Sequence, residues 1–592
     1  MKLEKKTDVV AAASRQGINF KAASAVWLLA GAFWLAGAGS PQAAALRWAG
    51  GSLVNNVWDI NTTANWKNGA ATVNFNTGDS VTFDNFGAPL TTVNVNALVQ
   101  PTAITVDTSA VNYAFTNATG SIIGPGGLLV FGPGKLTLAT TNSYSGGTTV
   151  SNALLQLNSA TAAGTGPITN SSGTVYVNYG GLANSLTCFG TATFTNSGHT
   201  GGIGTLNGSG TLAINSPGQV FDLTGNITGY GGTLILSNCT SGVRFNVTTG
   251  SSAATFDLGN GTVGLSIRNG ATAIALGGLA GGNGTTLSGN TAVAYGATFT
   301  IGGINISSTF GGKIANSMGT AAINKVGTGT LTLSGTNNSY SGNTTVSAGV
   351  LAITGLAWPT NSAVIDVITN SVLDVSGLAG GLVTLSSNQT LTGSGTLRGS
   401  VVAPANAIVL PGDGVGVLTV TNAITLGGSL LMELNNSLVT ATNDRLVAAT
   451  INYGGTLTVT NVGPALAAGQ SFLLFSGARS ATFAAVNLPT NGPNSLAYTW
   501  TNKLNLDGSI QVLTVTGGVN TNPPPLLASR NGTALTLSWP TNAGWTLQMQ
   551  TNSLTVGLAT NWVDFVPGSA GVTATNLTID PARPTVFYRL KY

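Results

Sequence analysis

Gly327-Thr-Gly-Thr-Leu331-Thr-Leu333-Ser-Gly-Thr-Asn337-Asn-Ser-Tyr340-Ser-Gly342-Asn-Thr-Thr-Val346-Ser-Ala-Gly-Val350-Leu-Ala-Ile353 is the stretch from which the fold is read. Apolar residues alternate with Thr or Ser, the period-two pattern of a half-buried strand. Gly and Asn then break each run where the backbone turns with positive φ. A strand as short as Leu331-Thr-Leu333 cannot bury its apolar face alone, so it must stack on neighbouring copies of itself. Leu331 to Leu351 spans 20 residues and holds at least two strands and a turn, a length that suits one coil of a solenoid. Leu, Val and Ile are then expected to point inward, while Thr, Ser and Asn ladder along the outside.

The pattern recurs. Gly132-Pro-Gly-Lys-Leu136-Thr-Leu138-Ala-Thr-Thr-Asn142-Ser-Tyr144-Ser-Gly146-Gly-Thr-Thr-Val150 is a second good copy, and weaker echoes begin at Gly208, Gly229 and Gly393. Composition agrees. Only 6% of the 592 residues are charged and Gly appears 83 times, which argues against a coiled coil or long helical protein. The hydrophobic fraction of 43% argues against a disordered chain. A hydroxyl- and amide-rich surface can stay hydrated without Lys or Glu, and Thr suits a pleated surface.

The Asn-x-Tyr-Ser-Gly-x-Thr-Thr-Val element resembles the autotransporter-associated β-strand repeat. The residues that carry the match are Asn142, Tyr144, Gly146, Thr148 and Val150, and again Asn338, Tyr340, Gly342, Thr344 and Val346. Trp58-Asp59 with Asn65-Trp66, Gly78 to Asp84, and Leu410-Pro-Gly-Asp413 have a similar flavour. The resemblance implies an all-β, right-handed parallel β-helix exported to the cell surface or beyond, with these ten residues in a structural role. Such proteins end in a membrane barrel. Residues 526–592 are too few for one, whose strands need about 9–11 residues each in at least eight copies.

Domain organisation is read as a signal peptide at 1–45, an N-terminal cap and first coils at 46–130, and a β-helix at 131–420 with repeats near 132–157 and 327–353. Last coils and a cap follow at 421–515, then a Gly/Pro linker at 516–525 and a small β-sandwich-like domain at 526–592. The signal reading rests on Lys2 to Lys21, the apolar run Ala25–Gly37 and Ala43-Ala44-Ala45. No later apolar run approaches the roughly 18–20 residues of a membrane helix. Trp48, Trp58 and Trp66 are expected to close the first coil, with a sugar-binding platform as the competing reading.

Chemistry is sparse. From residue 46 onward there are 15 basic and 14 acidic residues, one of them Glu433, so no nucleic-acid partner is expected. Sugar cleavage needs two carboxyls about 5–9.5 Å apart; the sequence offers Asp79/Asp84, Asp366/Asp374 and Glu433/Asp444, with Asp366/Asp374 the best candidates. His199, the single His, lies in a polar turn without a nucleophile elbow. Nothing matches a zinc or calcium motif, so no metal or cofactor is expected. Cys188 and Cys239 stand about two rungs apart, about 9.6 Å, too far for a bridge unless a loop intervenes. The expectation is an exported, non-enzymatic scaffold in adhesion or envelope architecture, at the cell surface or outside the cell with the periplasm as the alternative location, with glycans or other surface proteins as partners and no membrane span after signal cleavage. Two alternatives stay open: a polysaccharide-acting β-helix enzyme, and carbohydrate binding through 526–592.

Overall fold

The computed structural model describes residues 43–591 apart from 50–54, 118, 198–200, 247–248, 269–271, 438–442, 518–524, 540–544, 566–573, 581 and 583–584. Most of the signal segment 1–45, His199 and most of the linker 516–525 therefore lie outside the described residues.

From Ala45 to Asn487 the chain winds as a parallel β-solenoid, with 2% helix overall. One face is a single run of twenty parallel strands from Val57–Trp58 to Ala485–Asn487, each paired with its counterpart one coil later. In the first copy of the repeat Leu136 pairs with Leu155 and Leu155 with Val175. In the second, Leu331 pairs with Leu351 and Leu351 with Leu373. The 20-residue spacing is thus the coil itself. Coil length is not fixed, however. Partners on the long face are 18 residues apart at Leu391 and Val409 but 29 apart at Leu457 and Val486. Turns absorb the difference, because the ladder constrains only the strands.

The other faces are shorter sheets that take over from one another along the axis. One runs from Ala45–Trp48 to Leu206–Gly208, the next from Gly201–Ile203 to Lys313–Ala315, and a third begins at Ser308–Phe310 and ends at Phe475–Ser480. Strand after strand alternates buried with half-buried residues, as in Thr330–Leu333 and Leu154–Leu157. The inward Leu, Val, Ile and Phe side chains of all coils join into one continuous core. At roughly 25 cal/mol per Å² of apolar surface removed from water, this stacking is the main favourable term.

Both ends of the ladder change character. At the start, Ala45–Trp48, Trp66–Asn68 and Ala71–Val73 pair antiparallel. Trp48, Trp58 and Trp66 are fully buried among Phe75, Phe83 and Phe115, with the Trp48–Trp66 ring centroids 5.1 Å apart. They fill the first coil and offer no exposed platform. At the other end, Ser471–Leu473, Ser509–Gly517 and Leu496–Lys503 form an antiparallel sheet. Antiparallel strands thus mark both ends of the parallel winding. Beyond it, Leu527–Asn531, Ala534–Ser538 and Ala574–Thr578 form one antiparallel sheet. Val563–Asp564, Thr546–Thr551 and Val586–Lys591 form a second. Leu537, Trp539 and Leu547 are the buried centre of this small region.

The repeat glycines are set by contact, not by φ. A Cβ on Gly146 would sit 2.4 Å from the Pro125 carbonyl oxygen, and one on Gly342 would sit 2.4 Å from that of Ala321. Backbone of the preceding coil cannot yield without breaking its ladder. We expect Gly342→Ala to destabilise the coil by about 1–3 kcal/mol, the usual cost of overpacking. Faster amide exchange confined to residues near 321–346 would show it, and unchanged exchange there would refute the contact argument.

Candidate functional site

The ten repeat residues lie mostly inside the solenoid. Tyr144, Tyr340, Val150 and Val346 are fully buried, as in essence are Asn142, Thr148, Asn338 and Thr344. This corrects the expectation that Asn and Thr line the outside, at least for the motif itself. Their geometry gives the reason. Strands satisfy their backbone through the ladder, but the turn preceding each Thr-Thr-Val strand has buried polar groups and no ladder.

Asparagine supplies the missing partners across three coils. The Ile122 N–H donates to Asn142 Oδ1 (3.1 Å), while Asn142 Nδ2 donates to the Ala162 carbonyl (2.6 Å). The second copy repeats this: Ile314 N–H to Asn338 Oδ1 at 2.8 Å, and Asn338 Nδ2 to the Ala357 carbonyl at 2.7 Å. Each asparagine therefore ties the coil before it to the coil after it. The tyrosine hydroxyl meets the first motif threonine, 2.6 Å between Tyr144 Oη and Thr148 Oγ1 and 2.7 Å between Tyr340 Oη and Thr344 Oγ1. Burial raises both phenols above their ordinary pKa. They remain protonated.

Lys325 was not singled out by the sequence, yet it is almost wholly buried. Its ammonium donates to the carbonyls of Val326 (2.8 Å), Gly327 (2.9 Å) and Ala348 (3.1 Å), with no carboxylate. Desolvation pushes its pKa down to about 8. In the first copy the same two turn carbonyls, Phe131 and Gly132, accept from the Thr108 hydroxyl. Two different donors thus meet one requirement of the coil corner.

Carboxylates follow the coil spacing rather than the sequence pairs. Asp79 accepts from the Ala44 and Asn76 amides, while Asp84 binds Arg47 at 2.7 Å and caps Phe86 N–H. Asp366 and Asp374 lie on strands of different sheets. Asp374 meets Arg398 at 2.8 Å and Ser376, which hold it below the usual carboxylate range against the opposing effect of burial. Asp366 is pushed up by burial and by Asp413, two coils on. Asp222 lies between Arg244 (2.6 Å) and Arg268 (3.4 Å). Only Glu433 and Asp444 are brought together as the sequence suggested. Asp444 is fully buried and accepts from Gly416 N–H (2.8 Å) and Glu433 N–H (2.7 Å). Burial, aided by the nearby Glu433 charge, pushes it up to about 7 against those hydrogen bonds. It pins the Gly412–Gly416 turn to the neighbouring strand.

Cys188 and Cys239 are buried free thiols, raised by burial to about 12 and about 11. No group of three or more His, Cys, Asp or Glu among the described residues is arranged to hold a metal ion. No helix among them is long and apolar enough to cross a membrane.

Against known families, residues 130–157 and 323–353 match the model described as passenger-associated-transport-repeat. These are the two segments whose interior geometry coincides above. No curated protein matches the chain. The chain carries two passenger-associated transport repeats in a β-solenoid, which fits an autotransporter passenger-like scaffold.

Two outcomes are expected. Lys325→Met leaves three partly buried carbonyls without this donor and should cost about 1–3 kcal/mol, measurable by denaturant unfolding. For Asp444, the folded chain keeps a proton between about pH 4 and 7 that the unfolded chain has released. Stability should therefore fall as pH rises through that window and level off above it. Asp444→Asn should flatten this slope; a slope unchanged in the variant assigns the effect elsewhere.

Proposed function

We propose that the chain is an exported, non-enzymatic scaffold at the cell surface or outside the cell, acting in adhesion or envelope architecture. The observation that carries this reading is where the polar chemistry goes. The motif Asn, Tyr and Thr side chains, Lys325, and Asp79, Asp84, Asp222, Asp374 and Asp444 are all engaged in holding coils and turns together. A catalytic pair needs groups left free toward a substrate. Asp366 and Asp374, the best candidates for one, face different partners on different sheets.

The two passenger-type repeats support export, and the basic-then-apolar segment 1–45 is the natural signal for it. Outside the cell, a long run of half-buried Thr, Ser and Asn on sparsely charged strands offers many equivalent weak contacts. Linked weak contacts gain affinity through effective concentration and not through any one site. Glycans and other surface proteins are the partners that such a face suits; nucleic acid is not, given a near-neutral chain.

Cell fractionation with protease added to intact cells tests the reading. The full chain is expected in the protease-accessible fraction, and removal of residues 1–45 should retain it inside. A full chain found wholly in the cytosol overturns the proposal. So does release of new reducing ends from a polysaccharide that is lost in Asp366→Ala or Asp374→Ala.

A further inference from the structure

The two repeat copies share their interior but differ in one loop. The first runs Leu138-Ala-Thr-Thr-Asn142; the second runs Leu333-Ser-Gly-Thr-Asn-Asn338, one residue longer. The longer loop carries Asn337 in the left-handed region at φ 60°. Its Gly335 lies against the coil below so closely that a Cβ would stand 1.9 Å from the Gly312 carbonyl oxygen.

The residue beneath differs as well. Ser121 and Lys313 are equivalent, since each precedes the isoleucine whose N–H donates to the motif asparagine. In the first copy Ser121, on the preceding coil, donates its hydroxyl to the Thr141 carbonyl, and buried Thr140 accepts from Asn142, so the loop is closed down onto the coil before it. In the second copy Lys313 is exposed. It borders a groove of about 300 Å³ that crosses three coils, with Asn283, Thr286, Thr336, Asn337 and Ser339 along its walls. Among the described residues none of these six side chains hydrogen-bonds or ion-pairs within the protein. No acidic residue and no aromatic face lines it. A cation surrounded by unengaged hydroxyls and amides is suited to a polar anion, and an apolar ligand would find nothing to cover.

We propose that this groove is a subsite for an acidic saccharide unit. A carboxylate or sulfate lies against Lys313 Nζ, and ring hydroxyls bond to Asn283, Asn337 and the threonines. The inference rests on the surface-scaffold reading for its source of glycan and gives that reading a location. One exposed ion pair is weak and screened by salt, so a single unit should bind in the millimolar range and a polymer more tightly.

The test is calorimetric titration of the full exported chain with tetragalacturonate, with a sulfated galactan tetramer, and with a neutral galactan tetramer of equal length. Binding of one or both acidic probes, weakened about threefold to tenfold by Lys313→Gln and by rising NaCl, supports the site; the probe that responds identifies the anion. Deleting Asn337 should weaken binding similarly, while Lys135→Gln, in the first copy, should leave it unchanged. No binding of either acidic probe, or equal binding by Lys313→Gln, overturns the proposal. Protease accessibility of Lys313→Gln on intact cells is independent of these results, so failure here is distinguishable from failure of the surface reading.

Discussion

In the two repeats the stacking of the turns depends on an interior asparagine bonded at once to the coil below and the coil above. Parallel strands look after their own amides, but a solenoid must also turn, and a turn packed between two others buries polar backbone with no ladder to receive it. Leaving one such group unmet costs about 1–3 kcal/mol. Asn142 and Asn338 meet the need with one carbonyl and one amide group aimed in opposite directions along the axis. A side chain with only an acceptor or only a donor would serve one neighbour and strand the other. Tyrosine, glycine and threonine follow from this: the ring fills the corner, its hydroxyl meets the threonine, and glycine lets the backbones close.

This constraint also explains which features were legible in the sequence. The coil was, because the 20 residues from Leu331 to Leu351 are the register itself. Strand alternation was, because burial acts on every second residue. The inward placement of Asn142, Thr148, Asn338 and Thr344 was not. Their residue types usually mark surface, and only the meeting of three coils turns them inward. Lys325 was invisible for a related reason: its partners are main-chain carbonyls, which carry no sequence signal.

Acid pairs show the same logic from the other side. In a solenoid the neighbour in space is about one coil away in sequence, not a few residues away. Asp222 finds Arg244 and Asp374 finds Arg398, each one rung on. Asp366 feels Asp413 across two rungs, while Asp374, eight positions along the chain, faces elsewhere. Searching for carboxylates close in sequence therefore selected the wrong partner for Asp366. Glu433 and Asp444 were the exception because the chain doubles back between them, with Leu434 bridged antiparallel to Asn443.

An interior fixed by stacking leaves the turns free to differ. The two repeats superimpose their chemistry from asparagine to valine, yet the loop before the asparagine closes over Ser121 in one and opens above Lys313 in the other. A one-residue shift of strand register would turn inward side chains outward, whereas one added turn residue disturbs only the surface. Spacings from 18 to 37 residues between paired strands of a single sheet show how widely this freedom is used. Specific chemistry in such a molecule is therefore to be sought where a turn departs from its own repeat, since the residues that obey the repeat are already engaged in holding the coils.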